Sequence, residues 1–237
     1  MKLKHAAGAL ALMAMVPMAQ AELTLTPTLT SDYDFRGISL SKRDPAAQLS
    51  IDWAGESGFA AGLWASTTDF GTDTDIEVNA NLSYSGGSDE TANWGVGFTG
   101  YIYLSGSEFN YPEYWVGISK PFTEKFSAGA KLWYSNDYAA TDESATYLEL
   151  NARVELPNDF GLEFHVARSD GDYWDLVNGD GYTDYAVGLT YSWNDINFGL
   201  KYIDGSDLPD AGVDLLSTES KVIFSVTKSF TLGGKTE

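Results

Sequence analysis

Asp32, Asp34 and Arg36 stand at every second position of the stretch LTSDYDFRGIS, Leu29–Ser39. Alternate side chains of a strand share one face, ~7 Å apart. The three charges are therefore expected to form one polar network, with Leu29, Tyr33 and Phe35 on the opposite, apolar face. Two carboxylates beside a guanidinium can attract ions or hydrogen-bond a polar solute, but they do not make a catalyst. His165 is the one His beyond Ala21, and Glu163 puts an acid on its face of a strand. A Ser–His–acid site also needs a hydroxyl held against that imidazole. No Ser or Thr is singled out by spacing, so His165 reads as a hydrogen-bonding group. The chain has no Cys, which removes thiol chemistry, disulfides and the usual zinc sets. SDGDYWDLVNGDGYTD carries Asp170, Asp172, Asp175, Asp180 and Asp184. It lacks the spacing and closing Glu of a calcium loop, and reads as a solvated acidic loop. No catalytic residue, cofactor or metal site is expected, and the chain is not read as an enzyme. A formal net charge of −20 also excludes nucleic acid, whose phosphates demand Lys and Arg.

The elements that must position these groups are strands. Residues 1–21 form a separate segment: Lys2 and Lys4, then AAGALALMAMVPMA, then AQA ending at Ala21. This is the pattern of a cleaved secretory signal peptide, too short to span a bilayer comfortably. Residues 22–237 are expected to form one domain. Period-two segments separated by Gly, Asn, Asp and Ser clusters fill it, and nothing reads as helix. Twelve strands are expected: Leu23–Phe35, Ala47–Trp53, Phe59–Thr67, Ile76–Tyr84, Trp94–Leu104, Glu113–Ser119, Phe126–Tyr134, Thr146–Glu155, Phe160–Arg168, Tyr182–Trp193, Ile196–Ile203 and Lys221–Phe230.

Connections after even strands are short, such as AGESG, LPND and ND; those after odd strands are mostly longer and acidic. That asymmetry marks a transmembrane, antiparallel, up-and-down β-barrel of the outer membrane, with periplasmic turns and extracellular loops. In such a barrel the apolar face meets lipid and the polar face lines the lumen. Trp53, Phe59, Tyr84, Trp94, Phe126, Phe160, Tyr191, Trp193 and Phe230 fall at the short-turn end and predict one aromatic girdle. Tyr33, Phe35, Tyr114, Tyr134, Tyr185 and Tyr202 predict the other.

The inward phase then yields a pore-lining set: Asp32, Asp34, Arg36, Asp52, Glu77, Lys131, Glu149, Arg153, Glu163, His165 and Lys201. A second inward set is aromatic: Trp64, Tyr101, Tyr103, Trp115, Trp133 and Tyr147. Such rings suit sugars, nucleobases or organic cations, or simply fill a narrow barrel. Two functional readings follow. An acidic wet lumen favours passive diffusion of small solutes with a preference for cations. A lumen filled by paired charges gives a non-conducting structural or adhesive barrel. Inward Gly62, Gly95, Gly97, Gly129, Gly188 and Gly199 leave space and lean toward the pore. The expected partners are outer-membrane lipid and lipopolysaccharide outside, small solutes or cations inside, and the barrel-assembly machinery during biogenesis.

LTSDYDFRGIS is followed by DPAAQLSIDWAGESGFAAGLWAS, with its G-F-x-A-G-x-W-A-S ending. Together they resemble a proteobacterial outer-membrane family, Gcw_chp, whose members are labelled TorF-family porins. The likeness is sharp over Leu29–Ser66 and looser onward to Phe230. It implies an outer-membrane location and a pore, and brings no substrate and no binding residues.

Overall fold

A computed structural model describes residues 22–70, 76–208 and 218–232. The expected signal segment, residues 1–21, lies outside the described residues. The strands are β1 (Glu22–Thr30), β2 (Asp34–Phe35), β3 (Ile38–Ser39), β4 (Ala46–Ala54), β5 (Phe59–Thr67), β6 (Ile76–Ser88), β7 (Ala92–Tyr103) and β8 (Tyr111–Pro121). They continue as β9 (Phe126–Ser135), β10 (Ala145–Glu155), β11 (Phe160–Asp170), β12 (Tyr182–Trp193), β13 (Ile196–Ser206), β14 (Lys221–Lys228) and β15 (Phe230–Leu232). Where no helix was expected, one short α-helix, α1 (Asp172–Asn178), sits between β11 and β12, and single 3-10 turns stand at Ser107–Phe109 and Tyr138–Ala140.

Apart from β2, β3 and the terminal β15, each strand pairs antiparallel with its neighbours in the order of the chain. β1 pairs with β4 on one side and with β14 and its continuation β15 on the other. The sheet thus closes into a barrel of twelve staves. Closure satisfies every stave on both edges, which a chain surrounded by hydrocarbon requires. The turns at residues 55–58, 89–91, 122–125, 156–159 and 194–195 make one rim, and the longer connections make the other.

The burial pattern is inverted relative to a soluble protein. Leu29 is 66% exposed and Leu82 61%, whereas Glu77 and Glu113 are each 1% exposed. Val116, Leu150, Val187, Leu200 and Phe224 are exposed in the same outward phase. A water-soluble sandwich would hide these side chains; a transmembrane barrel presents them to lipid. At the short-turn rim Trp53, Phe59, Tyr84, Trp94, Phe126, Trp193 and Phe230 are exposed. Ring contacts link Phe59 to Tyr84, Tyr84 to Trp94 and Phe160 to Tyr191. Tyr114, Tyr134, Tyr185 and Tyr202 form the outward belt nearer the loop rim.

The first strand departs from expectation. β1 ends at Thr30 rather than Phe35. Thr30 Oγ1 donates to the Asp32 carbonyl at 2.8 Å, and the chain turns into the barrel. There β2 and β3 form a hairpin, pairing Asp34 with Ser39 and Phe35 with Ile38. Its two-residue loop is Arg36–Gly37, with φ of 54° and 84°. Positive φ at both central positions is the geometry whose twist matches a tight hairpin. Alternation continues through this hairpin, so the sequence pattern concealed the turn. Tyr33 and Phe35 consequently face inward, and Tyr33 is buried among lumen residues instead of joining the outer girdle.

Candidate functional site

The in-folded segment 31–45 is fastened to the barrel wall by its charges. Arg36 donates to both oxygens of Glu113 on β8, at 2.8 and 2.7 Å. Lys221 at the start of β14 pairs with Asp34 at 2.7 Å and donates to the Gly37 carbonyl at 3.0 Å. The Tyr33 hydroxyl donates to Glu77 on β6, at 3.1 Å. Burial, and then the Glu77 charge, hold that phenol well above its usual range, so it stays protonated and remains a donor. Tyr182 on β12 donates to the Arg36 carbonyl at 3.0 Å. Asp32 works inside the segment, accepting from Ser39 at 2.5 Å and Ser41 at 2.9 Å. The expected shared network of Asp32, Asp34 and Arg36 is therefore not formed. The tight turn splays the three groups, and each finds its own partner.

An aromatic layer surrounds the hairpin. Tyr33, Ile38 and Leu40 pack with Tyr101, Tyr103, Tyr111, Tyr138, Trp174 and Tyr182 in one buried cluster. Tyr101 and Tyr111 stack at 4.5 Å, and Trp174 on α1 meets Tyr182 edge-on at 4.7 Å. The loop-side half of the lumen is thus packed like a small protein core. Guanidinium and ammonium groups are held against rings as well. The Arg36 guanidinium carbon lies 4.2 Å from the Tyr147 ring centre and 5.5 Å from that of Trp133. The Lys131 ammonium sits 3.9 Å from Trp115 and 3.8 Å from Trp133.

Below this layer the lumen is not filled. A cavity of about 460 Å³ is bounded above by Asp32, Tyr33, Asp34, Phe35 and Arg36. Its wall carries Thr28, Ser50, Asn79, Asn81, Thr99, Thr190 and Ser225, with the charged groups Asp52, Glu149, Glu163, His165, Asp184 and Lys201. The volume lies within the ~300–1,000 Å³ of ordinary small-ligand sites. Asp52, toward the short-turn rim, is exposed, so water reaches this part of the wall.

Of the pore-lining set read from the sequence, Asp32, Asp34, Arg36, Asp52, Glu149, Glu163, His165 and Lys201 border that cavity. Glu77 is buried higher up, accepting from Asn79 at 2.9 Å and from Tyr33. Lys131 is buried on its two indoles. Arg153 lies near the short-turn rim, bridging Glu155 and Glu163. His165 touches Asn151 at 2.7 Å, and Asp184 and the Tyr147 hydroxyl at 3.0 Å each. Of the aromatic set, Trp64 packs on the upper cluster that holds Tyr101 and Tyr103. Trp115 and Trp133 pair at 6.1 Å, and Trp133 and Tyr147 both face the Arg36 guanidinium. Some inward glycines make room for side chains rather than for a path. A Cβ at Gly97 would strike the Trp115 ring, and one at Gly62 would strike the Asp52 carboxylate.

Glu113, Asp184 and Lys221 were missed by the sequence reading, although parity could have found them. Glu113 shares its phase with Trp115, Asp184 with Ala186, and Lys221 with Ile223 and Ser225. The acidic stretch considered for calcium is dispersed. Asp172 bonds Ser144, Asp180 pairs with Arg168, and Asp184 points into the barrel. Among the described residues no group of three or more His, Cys, Asp or Glu is placed to hold a metal ion.

This combination defines an outer-membrane type of twelve-stave barrel with a hairpin folded into its lumen. The chain belongs to the Gcw_chp family, a bacterial protein family of unknown function, whose pattern matches residues 15–230. The NanC porin structure is similar with a TM-score of 0.62 at 15% identity, covering 89% of this chain and 100% of that one. The KdgM porin is similar at 0.59 and 11% identity, over 88% of this chain and 99% of that one. The COG4313 outer membrane channel from Pseudomonas putida F1 is similar at 0.52 and 8% identity, over 92% and 97%. At these identities the likeness is one of fold. No curated protein matches the chain in sequence.

Proposed function

We propose that this protein is an outer-membrane channel for passive diffusion of small solutes, with a preference for cations, whose restriction is the in-folded segment 31–45. The observation that carries the reading is the cavity of about 460 Å³ beneath that segment, with hydroxyl, amide and charged side chains in its wall. A barrel that served only as a wall would fill this space with side chains, as narrow barrels do. Small residues line it instead: Ala186, Gly188, Gly199 and Ser225. Carboxylates outnumber cations on its wall, and a low-dielectric surround strengthens their field on an entering ion. The porin name attached to the Leu29–Ser66 resemblance belongs to this reading, as do lipid and lipopolysaccharide around the belt and delivery by the barrel-assembly machinery.

The packed aromatic layer favours a second reading, a non-conducting barrel of structural or adhesive role. Planar-bilayer recording separates the two. The channel reading expects current from the intact protein, and a reversal potential in a KCl gradient that marks cation preference. Asp52→Asn should lower that preference, more strongly at low salt where screening is weak. Silence from both the intact protein and a variant with residues 34–39 replaced by a short Gly/Ser link would establish the second reading.

A further inference from the structure

Arg36 occupies a cage that the barrel wall builds without it. Glu113 on β8 receives the guanidinium through two parallel hydrogen bonds, at 2.8 and 2.7 Å. Tyr101 on β7 donates to the same carboxylate at 2.8 Å. Tyr147 on β10 and Trp133 on β9 offer their rings at 4.2 and 5.5 Å from the guanidinium carbon. The carboxylate and these rings sit on paired strands, while Arg36 arrives at the tip of a connecting hairpin. The tip is also held by main-chain contacts, from Tyr182 to the Arg36 carbonyl and from Lys221 to the Gly37 carbonyl. The Arg36 side chain is thus one anchor among several, and it is the one with the form of a ligand.

Glu113 is 1% exposed, and a buried carboxylate without a cation is costly. With Arg36 withdrawn, the wall would present a formed receptor for a planar cation. Two carboxylate oxygens match the guanidinium fork, and aromatic faces complete the site. A further acceptor stands beside it. Asp184 is buried, its Oδ2 has no hydrogen-bond partner, and its Oδ1 already takes the Tyr147 hydroxyl.

We propose that this cage is a binding site for guanidinium-bearing organic cations and that Arg36 is its tethered occupant, displaced when such a solute binds. The solute class deepens the channel reading, and its transport rests on that reading; binding in the cage does not. A tethered group competes at an effective concentration of about millimolar. Free guanidinium compounds should therefore bind the intact protein only weakly, and bind a variant lacking the tethered cation more tightly.

The test uses the intact protein, Arg36→Ala and Arg36→Ala/Glu113→Gln, each refolded in detergent micelles and checked for barrel formation by heat-modifiable gel migration. Arginine amide and lysine amide, equal in charge, are titrated at constant ionic strength and followed by calorimetry and indole fluorescence. Arg36→Ala should saturate with arginine amide at least ~tenfold below the intact protein. Lysine amide should bind more weakly, and Glu113→Gln should abolish the response. No saturation in folded Arg36→Ala, equal affinity for the two amides, or a response that survives Glu113→Gln would overturn the assignment. If Arg36→Ala does not fold, Arg36→Gln takes its place under the same criteria. Bilayer recordings of the same samples keep the two claims apart. Saturable binding without current retains the cage and removes the channel; current without saturable binding retains the channel and removes the cage.

Discussion

At the residue scale, several lumen charges are neutralised one pair at a time. Arg36 takes Glu113, Lys221 takes Asp34, and Arg153 lies between Glu155 and Glu163. The Arg36–Glu113 and Lys221–Asp34 pairs sit where water is scarce, so losing one partner leaves the other stranded. The Lys221 and Asp34 side chains are only 4% and 10% exposed. Lys221→Met should destabilise the barrel by ~3–5 kcal/mol, the usual cost of breaking a buried pair. Equilibrium urea unfolding in micelles reads this directly, and a change under ~1 kcal/mol would show that Asp34 recovers solvent or another partner. The inward charges of β10, β11 and β13 were legible as types on a phase. The partners of Arg36 and Lys221 were not, because those pairs join residues distant in the chain, 77 positions apart for Arg36 and Glu113.

At the element scale, alternation carries the fold. Every expected strand exists, because a stave with lipid on one side and polar lumen on the other must change character at each residue. Leu150 is outward on β10, and Ser50 is inward on β4 against the cavity. Leu150→Arg should cost ~2–4 kcal/mol near mid-membrane and slow assembly into lipid vesicles, while Ser50→Arg should be far better tolerated. Comparable losses at the two sites would reverse the face assignment. The same rule misled the reading of segment 31–35. The chain bends at Ser31–Asp32 without disturbing the alternation, and the hairpin turn Arg36–Gly37 lacks the usual Asn-Gly or Asp-Gly signature.

At the scale of the whole molecule, two rims of unequal length imply an orientation. An epitope inserted after Asp142, in the connection between β9 and β10, should be stained on intact cells. One inserted after Glu56, in the turn between β4 and β5, should be reached only once the outer membrane is opened. The opposite staining pattern would turn the barrel over in the bilayer. Barrel closure also decides what the lumen can do. Twelve staves lie between the eight-stave barrels that side chains fill and the sixteen-stave porins that hold an aqueous channel. The chain meets that intermediate width with a hairpin and an aromatic layer above, and a cavity below.

Read alone, the sequence determined the barrel, the phase of its strands and most of the short-turn aromatic girdle. Each of these follows from local periodicity and from which residue types tolerate hydrocarbon. Only the tertiary structure decided that Tyr33 and Phe35 turn inward and that Asp32, Asp34 and Arg36 part company. It also showed that glycines such as Gly62 and Gly97 seat neighbouring side chains instead of widening a path. Those outcomes depend on which residues of other strands face one another across the lumen. Register and closure set that, and no window of the chain contains it.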